Sequence, residues 1–185
     1  ALAELSRFAE VNLVGLPEDG PQDYASLLER LAHQFPTTPF VLVAESFSGP
    51  LAILAAARWP GMISHLILIS SFVSSPLPKV MGGTLGLFGS GLPPLALVRM
   101  AMLVWRPPAQ AAAAFDAMFR RLDPALMRDR ARFALGVDAS AALATTVMPL
   151  LVISGHHDHL CGTRLNPALR KCRPDAEFIA LDGPH

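Results

Sequence analysis

The stretch Val43-Ala44-Glu45-Ser46-Phe47-Ser48-Gly49 places a serine between two apolar segments of different period. Residues 40–44 form a continuous apolar run, which predicts a fully buried parallel strand. Residues 47–59 are rich in alanine and leucine and predict a helix that is buried nearly all round and ends before Pro60. Ser46 is therefore predicted at a sharp turn between a strand and a helix.

Other apolar runs bounded by turn residues predict the rest of a sheet. We expect strands at residues 10–16, 65–70, 149–154 and 177–181. A helix is predicted at residues 22–35, because one of its faces carries Tyr24, Leu27, Leu28 and Leu31. Strands that alternate with helices in this way predict an α/β domain with a mostly parallel sheet.

A long insertion separates the third predicted strand from the fourth. It covers residues 72–147, which is far more than an ordinary crossover connection needs. Helices are predicted within it at residues 94–104, 109–122 and 124–135, the last with Arg128, Arg130 and Arg132 on its exposed sides. The predicted organisation is a core of residues 1–71 and 148–185 and a helical cap of residues 72–147.

A serine hydroxyl is a weak nucleophile at neutral pH and needs a neighbouring base, which in turn needs an orienting carboxylate. Asp158 follows the fourth predicted strand directly, in the sequence Ser154-Gly155-His156-His157-Asp158, and His185 follows the fifth. The carboxyl ends of parallel strands meet at one edge of a sheet. Ser46, Asp158 and His185 are therefore expected to lie close together.

The serine between a strand and a helix resembles the nucleophile elbow of the α/β-hydrolases. The order serine, aspartate, histidine along the chain resembles the catalytic triad of the same family. Ala44 and Ser48 stand where the elbow motif G-x-S-x-G has glycines, and a glycine follows at Gly49. The resemblance implies a mostly parallel sheet with helices on both faces and a helical cap. It also implies that Ser46 is the nucleophile, Asp158 the acid and His185 the base.

The same resemblance assigns one oxyanion donor, the backbone N–H of Phe47. A serine at position 46 excludes the dehalogenases and epoxide hydrolases of this fold, which have an aspartate there. The expected reaction is acyl transfer through a serine ester, with no cofactor. Substrate-binding residues are not identified by the sequence.

The resemblance does not include the first strands of the family's fold. The family has about three more strands before the first one predicted here. The loop that supplies the second oxyanion donor belongs to that part. In the family, one of those strands separates the strand that matches residues 10–16 from the nucleophile strand. Here the two strands must pair directly or leave a gap, which another chain would fill by strand addition. A homo-oligomer through an exposed sheet edge is therefore one expectation.

Carboxylic esters with apolar acyl groups are the expected substrates, because the predicted cap is rich in large apolar side chains. These are Met81, Leu85, Leu87, Phe88, Leu92, Leu95, Met100, Met102 and Trp105. The alternative is that they pack only the core of the cap itself. Thioester or amide hydrolysis and acyl transfer use the same triad, and a non-catalytic binding protein would keep the fold without a working oxyanion hole.

Charge and composition argue against other classes of partner. Fifteen basic residues balance fifteen acidic ones, so no broad positive field would draw the chain to nucleic acid or to an anionic membrane. The uncharged residues 80–98 are interrupted by glycines and prolines, which disfavours an integral membrane segment. The expected partner is a small-molecule ester.

Cysteine and histidine usage favours a metal-free protein of the cytoplasm. Cys161 and Cys172 form no disulfide framework, and the chain begins with neither the basic residues nor the apolar run of a signal peptide. A zinc site in the run His156-His157-Asp158-His159 is the alternative, because imidazole and carboxylate bind zinc. Adjacent ligands on one loop rarely complete a tetrahedral site, so no metal is expected.

Overall fold

The computed structural model describes residues 2–75, 109–158 and 161–183. Its central element is a parallel sheet with strand order β1-β2-β3-β4, formed by β1 (Phe40–Glu45), β2 (Ile63–Ile69), β3 (Leu150–Gly155) and β4 (Glu177–Leu181). The strands are parallel, and helices lie between them along the chain. This arrangement confirms the predicted α/β class.

The described helices are α1 (Leu2–Leu5), α2 (Tyr24–Leu31), α3 (Ser48–Arg58), α4 (Ala109–Phe119), α5 (Pro124–Gly136), α6 (Ser140–Thr145) and α7 (Gly162–Cys172). A 3₁₀ turn, Ala32–Gln34, extends α2. Asp23 caps the start of α2 by accepting a hydrogen bond from the Ser26 N–H at 2.9 Å. The predicted apolar face of α2 is confirmed, since its four large side chains are all buried.

The core lies on one face of the sheet. Strand register brings Leu42, Leu66 and Leu150 into one row, and Ala44, Leu68 and Val152 into the next. These rows pack with α3, α6 and α7, and α2 lies against α3. Burial nearly all round was predicted for α3 and is confirmed, because seven of its residues are buried.

Two predictions about strands are wrong. Residues 10–16 form no strand: Val14 and Leu16 pack against the core, but the backbone of this segment has no strand to pair with. The segment therefore neither pairs with β1, which is the edge of the described sheet, nor leaves a gap inside that sheet. Strand β1 is also not fully buried, because Val41 and Val43 are each 50% exposed on the face opposite α3.

The two ends of the insertion lie side by side. Antiparallel backbone contacts join its two ends, with Ala139 N–H donating to Val73 O at 2.8 Å and Ser75 N–H donating to Val137 O at 3.1 Å. Its described part is helical, as predicted for residues 109–122 and 124–135. The helix predicted at 94–104 and the apolar cap residues from Met81 to Trp105 lie outside the described residues. The division into core and cap stays a prediction.

Candidate active site

Ser46 has the backbone conformation that a nucleophile elbow requires. Its φ is +50°, in the left-handed region that residues with a Cβ adopt at a cost, and it lies between the end of β1 and the start of α3. Its N–H donates to Ile69 O on β2 at 3.0 Å, and its carbonyl accepts from Gly49 N–H at 3.0 Å. The sharp turn predicted from the sequence is therefore present.

Gly49 allows the turn to lie directly on the end of β2. A Cβ at this position would meet Ser71 Oγ at 1.6 Å, so any larger residue would force the two segments apart. Ser71 Oγ donates to the carbonyl of Ser46 at 2.8 Å. Sequence reasoning missed Ser71, whose only signal was its place just beyond a predicted strand.

Asp158 lies in the tight loop after β3 and is 5% exposed. Its Oδ1 accepts a hydrogen bond from Cys161 N–H at 2.7 Å, and its N–H donates to Gly155 O at 3.2 Å. These bonds hold a buried carboxylate at the carboxyl end of β3.

The carboxyl ends of β1 and β3 are brought together through β2. Ser46 N–H is bonded to Ile69 O on β2, and Ser70 N–H donates to Ile153 O on β3 at 2.8 Å. The predicted nucleophile and the predicted acid therefore lie at the same edge of the sheet, separated by a single strand.

The segment that leads to the predicted base is bonded to the acid loop. His156 N–H donates to Leu181 O at 2.8 Å, and His157 N–H donates to Gly183 O at 3.0 Å. His185 lies outside the described residues, so its place in the site stays a prediction. The chain before it nevertheless runs beside the loop that carries Asp158.

Tyr24 and Cys161 are both buried, Tyr24 beside Phe47 and Cys161 beside Asp158. The Tyr24 ring stacks on Phe47, with 4.9 Å between ring centroids, and its hydroxyl has no hydrogen-bond partner in the part of the chain that the structure describes. Burial raises the pKa of the Tyr24 phenol, and the nearby Cys161 thiol adds to the shift. Burial likewise raises the pKa of Cys161, with a further contribution from the charge of Asp158.

Arg130 extends from α5 of the insertion to the core beside the elbow. It donates from Nε to Gln22 Oε1 at 3.0 Å and from Nη2 to Pro17 O at 2.9 Å, and its guanidinium carbon lies 6.0 Å from the centroid of the Phe47 ring. Burial lowers its pKa. The prediction that Arg130 is on an exposed side of its helix is wrong, because buried acceptors on the core draw the guanidinium inward.

The histidine-rich loop makes a surface contact. His157 Nε2 lies 3.3 Å from Asp182 Oδ1, and both side chains are largely exposed. In residues 2–75, 109–158 and 161–183, no group of three or more His, Cys, Asp and Glu side chains is placed to hold a metal ion. His159 lies outside these ranges. Cys161 and Cys172 are both free thiols.

Comparison with known proteins identifies the family to which the chain belongs. The model of the serine aminopeptidase S33 family, a hydrolase family, matches residues 17–177. The chain belongs to this family. Among curated proteins, a monoacylglycerol lipase of Mycolicibacterium smegmatis is 29% identical over 153 residues, which cover 78% of this chain and 54% of the lipase. The chain thus spans about half the length of that relative.

Solved structures show the same fold. An esterase of Exiguobacterium antarcticum superposes with a TM-score of 0.77 at 15% identity, over 90% of this chain and 67% of that one. An enol-lactonase of Burkholderia xenovorans superposes with a TM-score of 0.70 at 20% identity, over 90% and 67% of the two chains. The fold of this S33 chain is therefore that of the α/β-hydrolases, as its resemblance to them predicted. Across the described ranges, no helix combines the length and the apolar character needed to cross a bilayer.

Proposed function

We propose that this chain hydrolyses carboxylic esters through an acyl-enzyme formed on Ser46. The observation that carries the proposal is the left-handed backbone of Ser46 at the junction of β1 and α3. Strain of this kind in a residue with a Cβ is concentrated at functional sites, and a serine at a strand-to-helix turn of this type exposes its hydroxyl at the carboxyl edge of a sheet. Membership of a hydrolase family and the buried carboxylate of Asp158 support the same conclusion.

In the proposed mechanism, His185 accepts the proton of Ser46 as its Oγ attacks the ester carbonyl. The imidazolium then protonates the leaving alcohol, which leaves an acyl ester on Ser46. His185 next takes a proton from water, the resulting hydroxide attacks the acyl ester, and the proton returns to Ser46 as the acid is released. Asp158 holds His185 in the required tautomer and stabilises its charged form.

The backbone N–H of Phe47 is the proposed oxyanion donor. Phe47 directly precedes α3, where amide groups have no acceptor within the helix and point outward. Its ring is held by the stacked ring of Tyr24 on one side and approached by Arg130. A donor fixed before the reaction stabilises the developing negative charge without reorganisation.

Apolar acyl esters are the proposed substrate class. The relative described as a monoacylglycerol lipase supports this choice, as does the apolar composition of residues 76–108. Initial rates on p-nitrophenyl esters of two to twelve carbons, with matched acyl thioesters and amides, test it. Higher kcat/KM for longer esters is expected, whereas a preference for thioesters would favour a thioesterase that uses the same triad.

A fluorophosphonate probe tests the nucleophile. Intact protein should gain one adduct on the peptide that contains Ser46, and Ser46→Ala should abolish it. Ser48→Ala, two residues further along the same turn, is the matched control and should leave labelling intact. Asp158→Asn should slow labelling by about 10³–10⁴ through loss of the orienting charge. Failure of the folded protein to react would favour a non-catalytic binding role, and labelling that survives Ser46→Ala would refute the assigned nucleophile.

A further inference from the structure

Ser71 is buried directly beneath the turn that carries Ser46. It follows β2, is 3% exposed, and its Oγ donates to the carbonyl oxygen of Ser46 at 2.8 Å. The same carbonyl accepts from Gly49 N–H, and the N–H of Ser46 donates to Ile69 O. The N–H and the carbonyl of Ser46 are therefore both hydrogen-bonded. Two of these hydrogen bonds are made with residues at the end of β2 or just after it, Ile69 and Ser71.

The packing around Ser71 leaves little freedom. A Cβ on Gly49 would lie 1.6 Å from Ser71 Oγ and 2.7 Å from Ser71 Cβ, so the start of α3 lies directly on this side chain. The preceding residue, Ser70, has a φ of +43°, and its N–H is bonded to Ile153 O. Two serines with left-handed backbones, Ser46 and Ser70, thus directly follow adjacent strands, and the bond from Ser71 joins the two turns.

We propose that Ser71 is a positioning residue, which holds the peptide group of Ser46 so that the nucleophile projects in the reactive direction. The inference rests on the proposed function of Ser46. A left-handed backbone at a residue with a Cβ persists only where its surroundings hold it. Rotation of the Ser46–Phe47 peptide would carry the N–H of Phe47, the proposed oxyanion donor, out of its place relative to the Ser46 hydroxyl, and small misplacements of reacting groups have large effects on rate.

Strand β2 offers a matched control at its opposite end. Ser64 Oγ donates to the backbone carbonyl of Phe40 on β1 at 3.0 Å. This bond joins the same two segments and has the same chemistry as the bond of Ser71, but it lies at the amino ends of the strands. Loss of either hydroxyl removes one hydroxyl-to-carbonyl bond, and only one of the two bonds lies at the proposed nucleophile.

The experiment compares Ser71→Ala with Ser64→Ala in fluorophosphonate labelling over a range of probe concentrations. Ser71→Ala should lower the maximal labelling rate about tenfold and leave the half-saturating concentration unchanged. Ser64→Ala should react at the wild-type rate, although it also removes a bond between the two segments and a contact with His65 Nδ1 at 3.3 Å. The pH dependence of labelling should be the same in all three proteins, because no titrating group has changed.

A second variant keeps the test decisive if Ser71→Ala does not fold. Ser71→Cys has a similar shape but a weak donor, and it should also label more slowly than wild type. Wild-type rates in Ser71→Ala or Ser71→Cys would overturn the role of Ser71 alone. No reaction of the wild-type protein would overturn the proposed function of Ser46 and this role with it.

Discussion

The phenol of Tyr24 combines an apolar ring contact with a hydroxyl that has no hydrogen-bond partner among the described residues. Its ring is 6% exposed and stacks on Phe47, whereas its hydroxyl is buried without a hydrogen bond within the described residues. A buried, unsatisfied hydroxyl costs about 1–3 kcal/mol. The ring therefore stabilises the elbow while the hydroxyl opposes folding.

Tyr24→Phe is expected to leave the free energy of unfolding unchanged or to raise it by about 1 kcal/mol, because only the unpaired hydroxyl is lost. Urea denaturation of the two proteins measures this difference. Tyr24→Ala is the control: it also removes the ring and should cost about 3–5 kcal/mol. A destabilisation of Tyr24→Phe would show that the hydroxyl has a partner in solution.

Stability should fall at alkaline pH because of Tyr24 and Cys161. The folded protein raises the pKa of both groups above 10.0 for the phenol and 9.0 for the thiol, the values expected when they are unfolded. Below pH 9 both groups are neutral in both states, so their contribution is fully present. Above pH 9 the unfolded state loses protons that the folded state retains, and stability falls by up to about 1.4 kcal/mol per pH unit for each group.

Urea midpoints between pH 7 and pH 11 test this expectation. Cys161→Ala should reduce the slope above pH 9, and Tyr24→Phe should reduce it above pH 10. An unchanged slope in Cys161→Ala would assign the alkaline loss to other groups.

At the scale of elements, Arg130 is a polar contact that helps hold helix α5 of the insertion to the core, beside the packing of Phe133 and Val137. It bonds to Pro17 O and to the buried Gln22, whose amide nitrogen lies within 3.2 Å of the carbonyls of Pro17, Asp19 and Gly20. Helix α5 is thereby joined to the segment before α2, next to the ring of Phe47.

Arg130→Gln should destabilise the docking of α5 by about 1–3 kcal/mol, since it removes both donors and leaves the side-chain oxygen of the buried Gln22 without its arginine partner. Amide hydrogen exchange in α5 should become faster, and Tm should fall. Arg132→Gln on the same helix is the matched control: its side chain is 72% exposed beside Asp129, so it should change stability by less than about 0.5 kcal/mol. Equal exchange rates in the two variants would contradict the proposed anchoring.

At the scale of the whole molecule, the second face of the sheet is apolar and partly exposed. Register aligns Val43, Ile67 and Leu151 in one row and Ile69, Ile153 and Ile179 in the next. A groove of about 460 Å³ is lined by Val41, Ile67 and Leu151 of this face, together with the polar residues His65, Asp175 and Glu177. The outer edge of β1 has no partner strand in the described sheet. Apolar faces and open strand edges of this kind promote association.

We expect the 185-residue chain to self-associate through this face and edge. Val43→Lys should increase the monomer fraction in light scattering coupled to size-exclusion chromatography, because its side chain is 50% exposed on the face. Val147→Lys makes the same substitution at a valine that is 80% exposed outside the strands, and it should leave association unchanged. A monomeric wild-type protein at high concentration would contradict the prediction.

The amino-acid sequence by itself determined the four strands of the described sheet, helices α2 to α5, and the order of the candidate site residues. The face of α2, the burial of α3 and the turn at Ser46 all follow from apolar spacing along the chain, which is local information. The positions of Asp158 and His185 after predicted strands are equally local, although the structure describes only the first of them.

Only the tertiary structure decided which segments pair and which polar groups become buried. Residues 10–16 have the apolar character of a strand, but a strand also needs a neighbour for its backbone, and the described sheet provides none. The inward turn of Arg130 and the bond from Ser71 to Ser46 join residues far apart in the chain. Such contacts depend on the complementary shape and unsatisfied polar groups of a second segment, which no local pattern contains.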